Sequence, residues 1–139
     1  MAGEITAKAY KLLETGLNED SRIEYLEYDF SKDTGAQGTY WLGKFQHKAL
    51  IKSAVVFVET ACTSGGSATV AVGTTTADPD GFLDATSGAV ANLIDDAALT
   101  ETTAANLVVA ANEYVIFVIG GADLTAGKVK VIIEWVEVN

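Results

Sequence analysis

The feature that most constrains the fold is a two-residue alternation of apolar and polar side chains. It is clearest in residues 128–138, where one face carries large apolar side chains. Those side chains are Val129, Val131, Ile133 and Trp135, and the opposite face carries Lys130, Ile132 and Glu134. Seven or eight short runs of this kind, separated by turns rich in Gly, Thr and Asp, predict an all-β chain. We expect a single antiparallel β-sandwich.

The sequence constrains the order of these strands less than their number. A jelly roll is the preferred connectivity, and an immunoglobulin-like order stays open. Two pairs of neighbouring segments predict hairpins, namely residues 49–61 with 67–73 and residues 113–120 with 128–138. Residues 89–99 fit either a short helix or an irregular strand.

Residues 39–45 predict a strand whose two faces both carry large side chains. Tyr40 and Leu42 fall on one face, and Trp41 and Phe45 fall on the other. An aromatic side chain of this size is more often part of a core than a ligand platform. We therefore expect Trp41 to lie in the core.

The first residues of the chain differ in pattern from the rest. Ile5, Ala9, Leu12 and Leu13 recur near helical spacing, so either a short helix or an extended arm fits. The apolar content is low, and contact with another chain or with the body of the domain must order such a segment. We divide the chain into an N-terminal arm, residues 1–21, and a β-sandwich domain, residues 22–139.

Charge is distributed unevenly along the chain, which has a formal net charge of -10. Residues 53–127 contain nine acidic residues and no Lys or Arg, whereas residues 1–52 hold seven of the nine basic residues. This balance argues against binding to nucleic acid, which needs clustered Lys and Arg. It indicates that one end of the molecule docks on a partner while the acidic loops face water or a basic surface.

No segment predicts insertion into a membrane or removal of a leader. The longest apolar run, at residues 114–119, ends at two glycines and is far shorter than the roughly 20 residues that span a bilayer. The N-terminus lacks both a basic start and a long apolar run. We expect synthesis in the cytoplasm and no membrane partner.

The turn Asp78-Pro79-Asp80-Gly81, with Asp84 three residues further on, is the best candidate for a cation site. Clustered carboxylates on a tight loop suit Ca²⁺. An EF-hand needs an oxygen ligand at the fifth position, where this chain has Phe82. Asp before Pro and Asp before Gly are common in turns, so a structural turn is the favoured interpretation, and we assign no metal.

The other reactive residue types are too few to build a catalytic site. The chain has one His, one Cys and one Arg. His47 has no nucleophile that the sequence places beside it, and Cys62 fits a small buried apolar residue. The acids Asp95, Asp96 and Glu101 fit a solvated surface. We expect no catalytic residue, no cofactor and no enzymatic activity.

Two segments resemble small virion proteins of tailed phages, of the capsid decoration or cement type. They are the motif AVGTTTADPDGFL, between Val70 and Leu83, and the stretch EYVIFVIGGADLTAGKVKVIIEWVEV, residues 113–138. The resemblance implies a β-sandwich or jelly roll that forms homotrimers and has no enzymatic activity. It also implies binding to the major capsid protein on the outside of an icosahedral shell, which the protein stabilises.

The resemblance suggests where such a protein docks on its partner. The basic N-terminal third, with Tyr40 and Trp41 nearby, is the candidate docking surface. The acidic loops of residues 74–101 then face solvent or the trimer axis. Contact between copies covers the second apolar face of residues 114–119.

Two other classes of function stay open. A carbohydrate-binding β-sandwich needs a row of exposed aromatic rings, and Tyr25, Tyr28, Tyr40 and Trp41 are the densest set. A hydrolase needs carboxylates that converge in a pocket, which leaves no signature in a sequence.

Overall fold

The computed structural model describes residues 3–5, 10–13, 21–100 and 107–138, and these form two five-stranded sheets packed face to face. Sheet A contains β1 (Gly3–Ile5), β2 (Lys11–Leu13), β4 (Gly38–Phe45), β6 (Thr69–Thr74) and β9 (Tyr114–Gly120). Sheet B contains β3 (Arg22–Asp29), β5 (Ala49–Ser64), β7 (Ala98–Leu99), β8 (Leu107–Val109) and β10 (Leu124–Glu137). Only α1 (Phe30–Asp33) and one 3-10 turn (Val90–Asn92) among the described residues are helical. The prediction of an all-β sandwich is confirmed.

Strand pairing follows a crossing pattern. In sheet A the order is β1, β4, β9, β6, with β2 also on β4, and in sheet B it is β3, β10, β5, β7, with β8 also on β5. The strands β3, β4, β5 and β6 therefore alternate between the sheets, whereas β6 and β9 are neighbours in sheet A. Both predicted hairpins are wrong, because β6 and β9 lie in sheet A while their chain neighbours β5 and β10 lie in sheet B. A tight turn that contains glycine can connect two strands of different sheets as well as the two strands of a hairpin.

The core between the sheets is centred on three aromatic rings. Tyr28 of β3 stacks on Phe117 of β9 with ring centroids 4.3 Å apart, and Tyr40 meets Tyr28 edge-on at 5.4 Å. The two buried hydroxyls are satisfied by the turn after α1, since Tyr28 donates to the carbonyl of Thr34 and Tyr40 to that of Ala36. Burial raises the pKa of both phenols, so they stay neutral donors.

An irregularity in β4 changes which side chains reach this core. The pairing of β4 with β9 shifts register between Trp41 and Gly43. Phe45 therefore joins Tyr40 and Leu42 on the core face, and Trp41 is left half-buried on the outer face of sheet A. This shift is why the predicted face of Phe45 is wrong. The predicted core position of Trp41 is wrong because alternation with the buried Tyr40 and Leu42 directs its side chain to the outer face.

The described parts of the N-terminal arm are extended. β1 and β2 both run parallel to β4, against Gly38–Tyr40 and Gly43–Phe45 respectively. Leu13 is buried at the end of β2. Of the predicted helix or extended arm, residues 6–9 and 14–20 lie outside the described residues. The boundary between an arm and a domain at residues 21 and 22 stays a prediction.

No helix in the described ranges is both long and apolar enough to cross a membrane. The segment predicted as a short helix or irregular strand, residues 89–99, contains both the 3-10 turn and β7. Phe82 and Leu83, in the loop that follows β6, are fully buried and belong to the core.

Cys62 is buried in the core, which confirms its interpretation as a small apolar residue. Gly127 of β10 passes directly above it. A Cβ on Gly127 would lie 2.5 Å from the Cys62 sulfur, and φ at Gly127 is +139°, so the position requires glycine. Burial raises the pKa of the Cys62 thiol to about 11.

We expect this thiol to be unreactive in the folded protein. At pH 8 the thiolate fraction and the reaction rate with a disulfide reagent should be on the order of a hundredfold lower than in the unfolded chain. Stopped-flow labelling in buffer and in concentrated denaturant measures the ratio. Equal rates in the two conditions would show that Cys62 is open to solvent.

Candidate functional site

Three aromatic rings cluster on the outer face of sheet A. Trp41 of β4 stacks on Tyr114 of β9, with centroids 4.3 Å apart and planes 20° apart. Tyr10, between β1 and β2, meets Trp41 edge-on at 6.2 Å and Tyr114 edge-on at 5.2 Å. The Lys44 ammonium lies 5.6 Å from the centre of the Tyr114 ring. We call these four residues the aromatic cluster.

Strand register explains why the aromatic cluster forms. Lys44 lies directly opposite Tyr114 across the β4–β9 pair, and Trp41 lies opposite Ile116. Alternation with the buried Tyr40 and Leu42 directs Trp41 outward, where the arm pairs with β4 and Tyr10 lies against the Trp41 ring. The cluster therefore joins the arm to the sheet through side chains as well as through backbone pairing.

The outer face around the aromatic cluster is almost free of charge. Described residues that point outward from β4, β6 and β9 include one basic residue, Lys44, and no acid, the others being Thr39, Trp41, Thr69, Ala71, Tyr114, Ile116 and Val118. Leu12 of the arm is 52% exposed beside them. Aromatic rings surrounded by uncharged residues are typical of the centre of a protein–protein interface.

The acidic loops lie on the opposite edge of sheet A from the arm. The segment that carries Asp78, Asp80 and Asp84 follows β6 and pairs back onto it through Leu83, which bridges to Val72. The arm strands occupy the other edge, beyond β4. The charge asymmetry of the sequence therefore becomes a lateral asymmetry of the sandwich.

The candidate cation loop forms a turn. The carbonyl of Asp78 accepts hydrogen bonds from Thr74 and Gly81, and the Asp84 carboxylate accepts one from the Ser87 amide at 2.7 Å. Burial and the neighbouring Asp80 carboxyl raise the pKa of Asp78. Within the described ranges no group of three His, Cys, Asp or Glu side chains could hold a metal ion.

Asp95 and Asp96 have different surroundings. The Asp95 carboxylate accepts a hydrogen bond from the Ala61 amide at 2.6 Å, which fastens its loop to β5, and Asp96 is exposed in a left-handed conformation. Glu101 lies outside the described residues. The predicted solvated surface thus includes one carboxylate, Asp95, with a structural bond.

Glu113 is a buried carboxylate that sequence reasoning missed. Its Oε1 accepts from the amides of Thr76 and Ala77 at 2.9 and 3.0 Å, and its Oε2 accepts from Ala110 at 3.4 Å. Burial raises the pKa of Glu113, but these amides outweigh it, and the net pKa is lowered. No local motif distinguishes Glu113 from the solvated acids. The one sequence feature that could indicate its burial is its position immediately before the apolar strand β9.

Residues of catalytic type are not brought together. His47 is exposed in the bend after β4, before β5 begins, whereas Cys62 is buried near the far end of β5. A shallow cleft of about 520 Å³ is lined by small and apolar residues, including Asn92, Ile94 and Leu99, and by no carboxylate or imidazole of the described chain. The cleft does not fit the paired acids that a hydrolase requires.

The four aromatic residues that the sequence suggested for sugar binding do not form a row on the described surface. Tyr28 and Tyr40 are 0% exposed and belong to the core. Tyr25 is 61% exposed but lies on the outer face of sheet B, while Trp41 lies on that of sheet A with one ring face against Tyr114. The four aromatic residues therefore do not form one platform.

Comparison with known proteins finds similarity in fold. No family model and no curated protein matches the chain. A chain from the capsid of Ralstonia phage GP4 matches with a TM-score of 0.67 and 14% identity, covering 91% of this chain and 90% of that one. A chain from the capsid asymmetric unit of cyanophage Pam1 matches with a TM-score of 0.61 and 14% identity, covering 97% of both. The resemblance to phage virion proteins is confirmed at the level of the fold.

Proposed function

We propose that the chain is a non-enzymatic structural protein of a tailed-phage virion. It binds the outer surface of the capsid as a homotrimer, with the major capsid protein as its partner, and stabilises the shell. The observation that carries the proposal is the fold shared, over nearly the whole chain, with chains of two phage capsids. Synthesis takes place in the host cytoplasm and the mature location is the virion.

Docking uses the aromatic cluster and the arm. The outer face of sheet A combines three aromatic rings, one cation and no acid among its described outward residues, on a chain with a net charge of -10. Of the two residues that the sequence suggested for docking, Trp41 lies on this surface and Tyr40 lies in the core. The acidic loops on the opposite edge keep that side solvated.

Stabilisation of the shell follows from mass action. A protein that binds only the assembled shell lowers the free energy of that state by an amount that grows with its concentration relative to Kd. A copy that spans neighbouring subunits adds contacts that must break before the shell opens. No catalytic group is needed for this role.

The strand order supports jelly-roll connectivity for this protein. β3, β4, β5 and β6 alternate between the two sheets, β9 then pairs with β6 in sheet A, and β10 returns to sheet B. Two sheets joined by crossing connections of this kind are typical of the jelly rolls found in viral capsid proteins. An immunoglobulin-like order would keep neighbouring strands paired within one sheet more often.

The Trp41→Ala substitution tests the docking surface. We expect binding to shells of the encoding phage to weaken roughly thirtyfold, the equivalent of about 2 kcal/mol for a central aromatic residue. Cosedimentation of purified protein with shells that lack it measures Kd. The matched control is Ile94→Ala, which removes a 59% exposed side chain near the acidic loops and should leave Kd unchanged.

Two binding results would contradict these proposals, and a melting temperature serves as the folding control. Wild-type protein that does not cosediment would overturn the proposed function itself. Equal Kd values for wild type and Trp41→Ala would remove the aromatic cluster from docking. A melting temperature close to that of wild type shows that the variant is folded.

A further inference from the structure

The outer face of sheet B is apolar where a two-residue alternation should make it polar. Residues at these positions point away from the core on β3, β5, β8 and β10. They are Ile23, Tyr25, Leu50, Val55, Phe57, Val108, Ile132 and Val136. Ile23, Tyr25 and Val108 are 60%, 61% and 49% exposed. Charged residues such as Glu134 lie between them, but exposed apolar residues grouped on one face mark an interaction site.

Strand register arranges these side chains in rows. Ile132 of β10 lies directly between Tyr25 of β3 and Val55 of β5. A second row runs from Val136 through Leu50 to Val108. Cross-strand neighbours of this kind form a continuous surface across the sheet, and not isolated exposed residues.

Two lysines on this face pair with two of its acids. Lys128 lies 3.6 Å from Glu27 and 3.1 Å from Glu59, and Lys130 lies 3.5 Å from Glu59. The outward acids beyond this group are Asp29, which caps α1 at one corner of the face, and Glu134. These four acids are therefore partly compensated by two lysines, whereas the acidic loops of residues 74–101 contain no Lys or Arg.

Charge balance identifies the occupant. Chains with a net charge of -10 repel each other, and the repulsion is smaller at a face whose acids pair with lysines than at the acidic loops. A basic partner would instead be drawn to the acidic loops beside β6 and β7. The ion pairs of Lys128 and Lys130 also present both signs of charge, which a second copy can complement.

We propose that the apolar outer face of sheet B binds a second copy of this chain. The inference deepens the proposed function, from which it takes the expectation of an oligomer, and assigns the surface at which copies meet. Contact there removes Tyr25 and its row from water while the aromatic cluster, on the other sheet, stays available for the shell.

The Tyr25→Glu variant tests this surface in solution, without shells. Light scattering coupled to size exclusion should give a multiple of the single-chain mass for wild type and the single-chain mass for the variant. Ile94→Glu places the same charge on a side chain of equal exposure near the acidic loops and should keep the wild-type mass. Val108→Glu, in the second row, replaces Tyr25→Glu if that variant melts early.

A wild-type mass of one chain would overturn the inference, as would a multimer that survives the charged substitution in a folded variant. Failure here is distinct from failure of the proposed function. Single chains that still cosediment with shells would contradict this surface alone. Multimers that do not bind shells would contradict the capsid role and leave the surface intact.

Discussion

Replacing Phe117 with alanine is expected to lower the free energy of unfolding by about 3–5 kcal/mol. Phe117 is fully buried between the sheets, where its ring stacks on Tyr28 at 4.3 Å and 9° and meets Tyr40 edge-on. Alanine would leave a cavity bounded by two rigid rings whose hydroxyls are tied to the turn after α1. Neighbouring side chains therefore cannot collapse into the space.

Chemical denaturation followed by tryptophan fluorescence measures the loss. It is a large share of the roughly 5–15 kcal/mol that holds a typical domain folded. Val118→Ala is the matched control, because Val118 adjoins Phe117 in β9 and points to the outer face, where it is half-buried. A Phe117→Ala loss no greater than that of Val118→Ala would mean that the aromatic centre is not the main packing contact.

The positions of the principal strands could be predicted from the sequence, because alternation is a local property. β3 and β4 begin and end close to the predicted runs, β10 begins at Leu124 inside the predicted loop, and the core faces of β3 and β10 are those that alternation assigns. Leu26 and Tyr28 are buried as expected, and so are Val131 and Trp135. Local pattern decides which residues face the core when the register is regular.

Strand pairing could not be predicted, because it depends on contacts between distant residues. Gly65 and Gly66 suit a hairpin and a crossing between sheets equally well, and only the pairing of β5 with β10 decides between them. The bulge at Trp41 is likewise set by the fit of β4 to β9. That shift of one residue brings Phe45 to the core face with Tyr40 and Leu42, while Trp41 stays on the outer face that we propose for docking.

The aromatic cluster was only partly predictable. The sequence places Trp41 near the candidate docking surface, but its partners Tyr10 and Tyr114 come from segments far apart in the sequence. The charge pattern does not distinguish Glu113 from the other acids of residues 53–127, since its partners Thr76 and Ala77 belong to a distant loop. Side-chain constellations built from several segments leave little trace in a single sequence.

Glu113→Ala is expected to lower the free energy of unfolding by about 2–4 kcal/mol at pH 7. The carboxylate holds the loop at Thr76 and Ala77 against the turn at Ala110, and both segments border the start of β9. Removing it leaves backbone N–H groups without their acceptor. Glu113→Gln keeps an acceptor oxygen but no charge, so it should lose about half as much.

The effect should depend on pH in one direction. The folded-state pKa of Glu113 lies below its ordinary value of 4.5, since the amides of Ala77 and Thr76 outweigh the opposing effect of burial. A lowered pKa stabilises the folded protein fully above the unfolded pKa, and the contribution is lost as pH falls through the folded pKa. The gap in stability between wild type and Glu113→Gln should therefore be constant from pH 7 to roughly 5.5 and shrink below about 4.5. Urea titrations at several pH values measure that gap. A gap that persists unchanged at pH 3 would show that packing of the side chain, and not its charge, fastens the two loops.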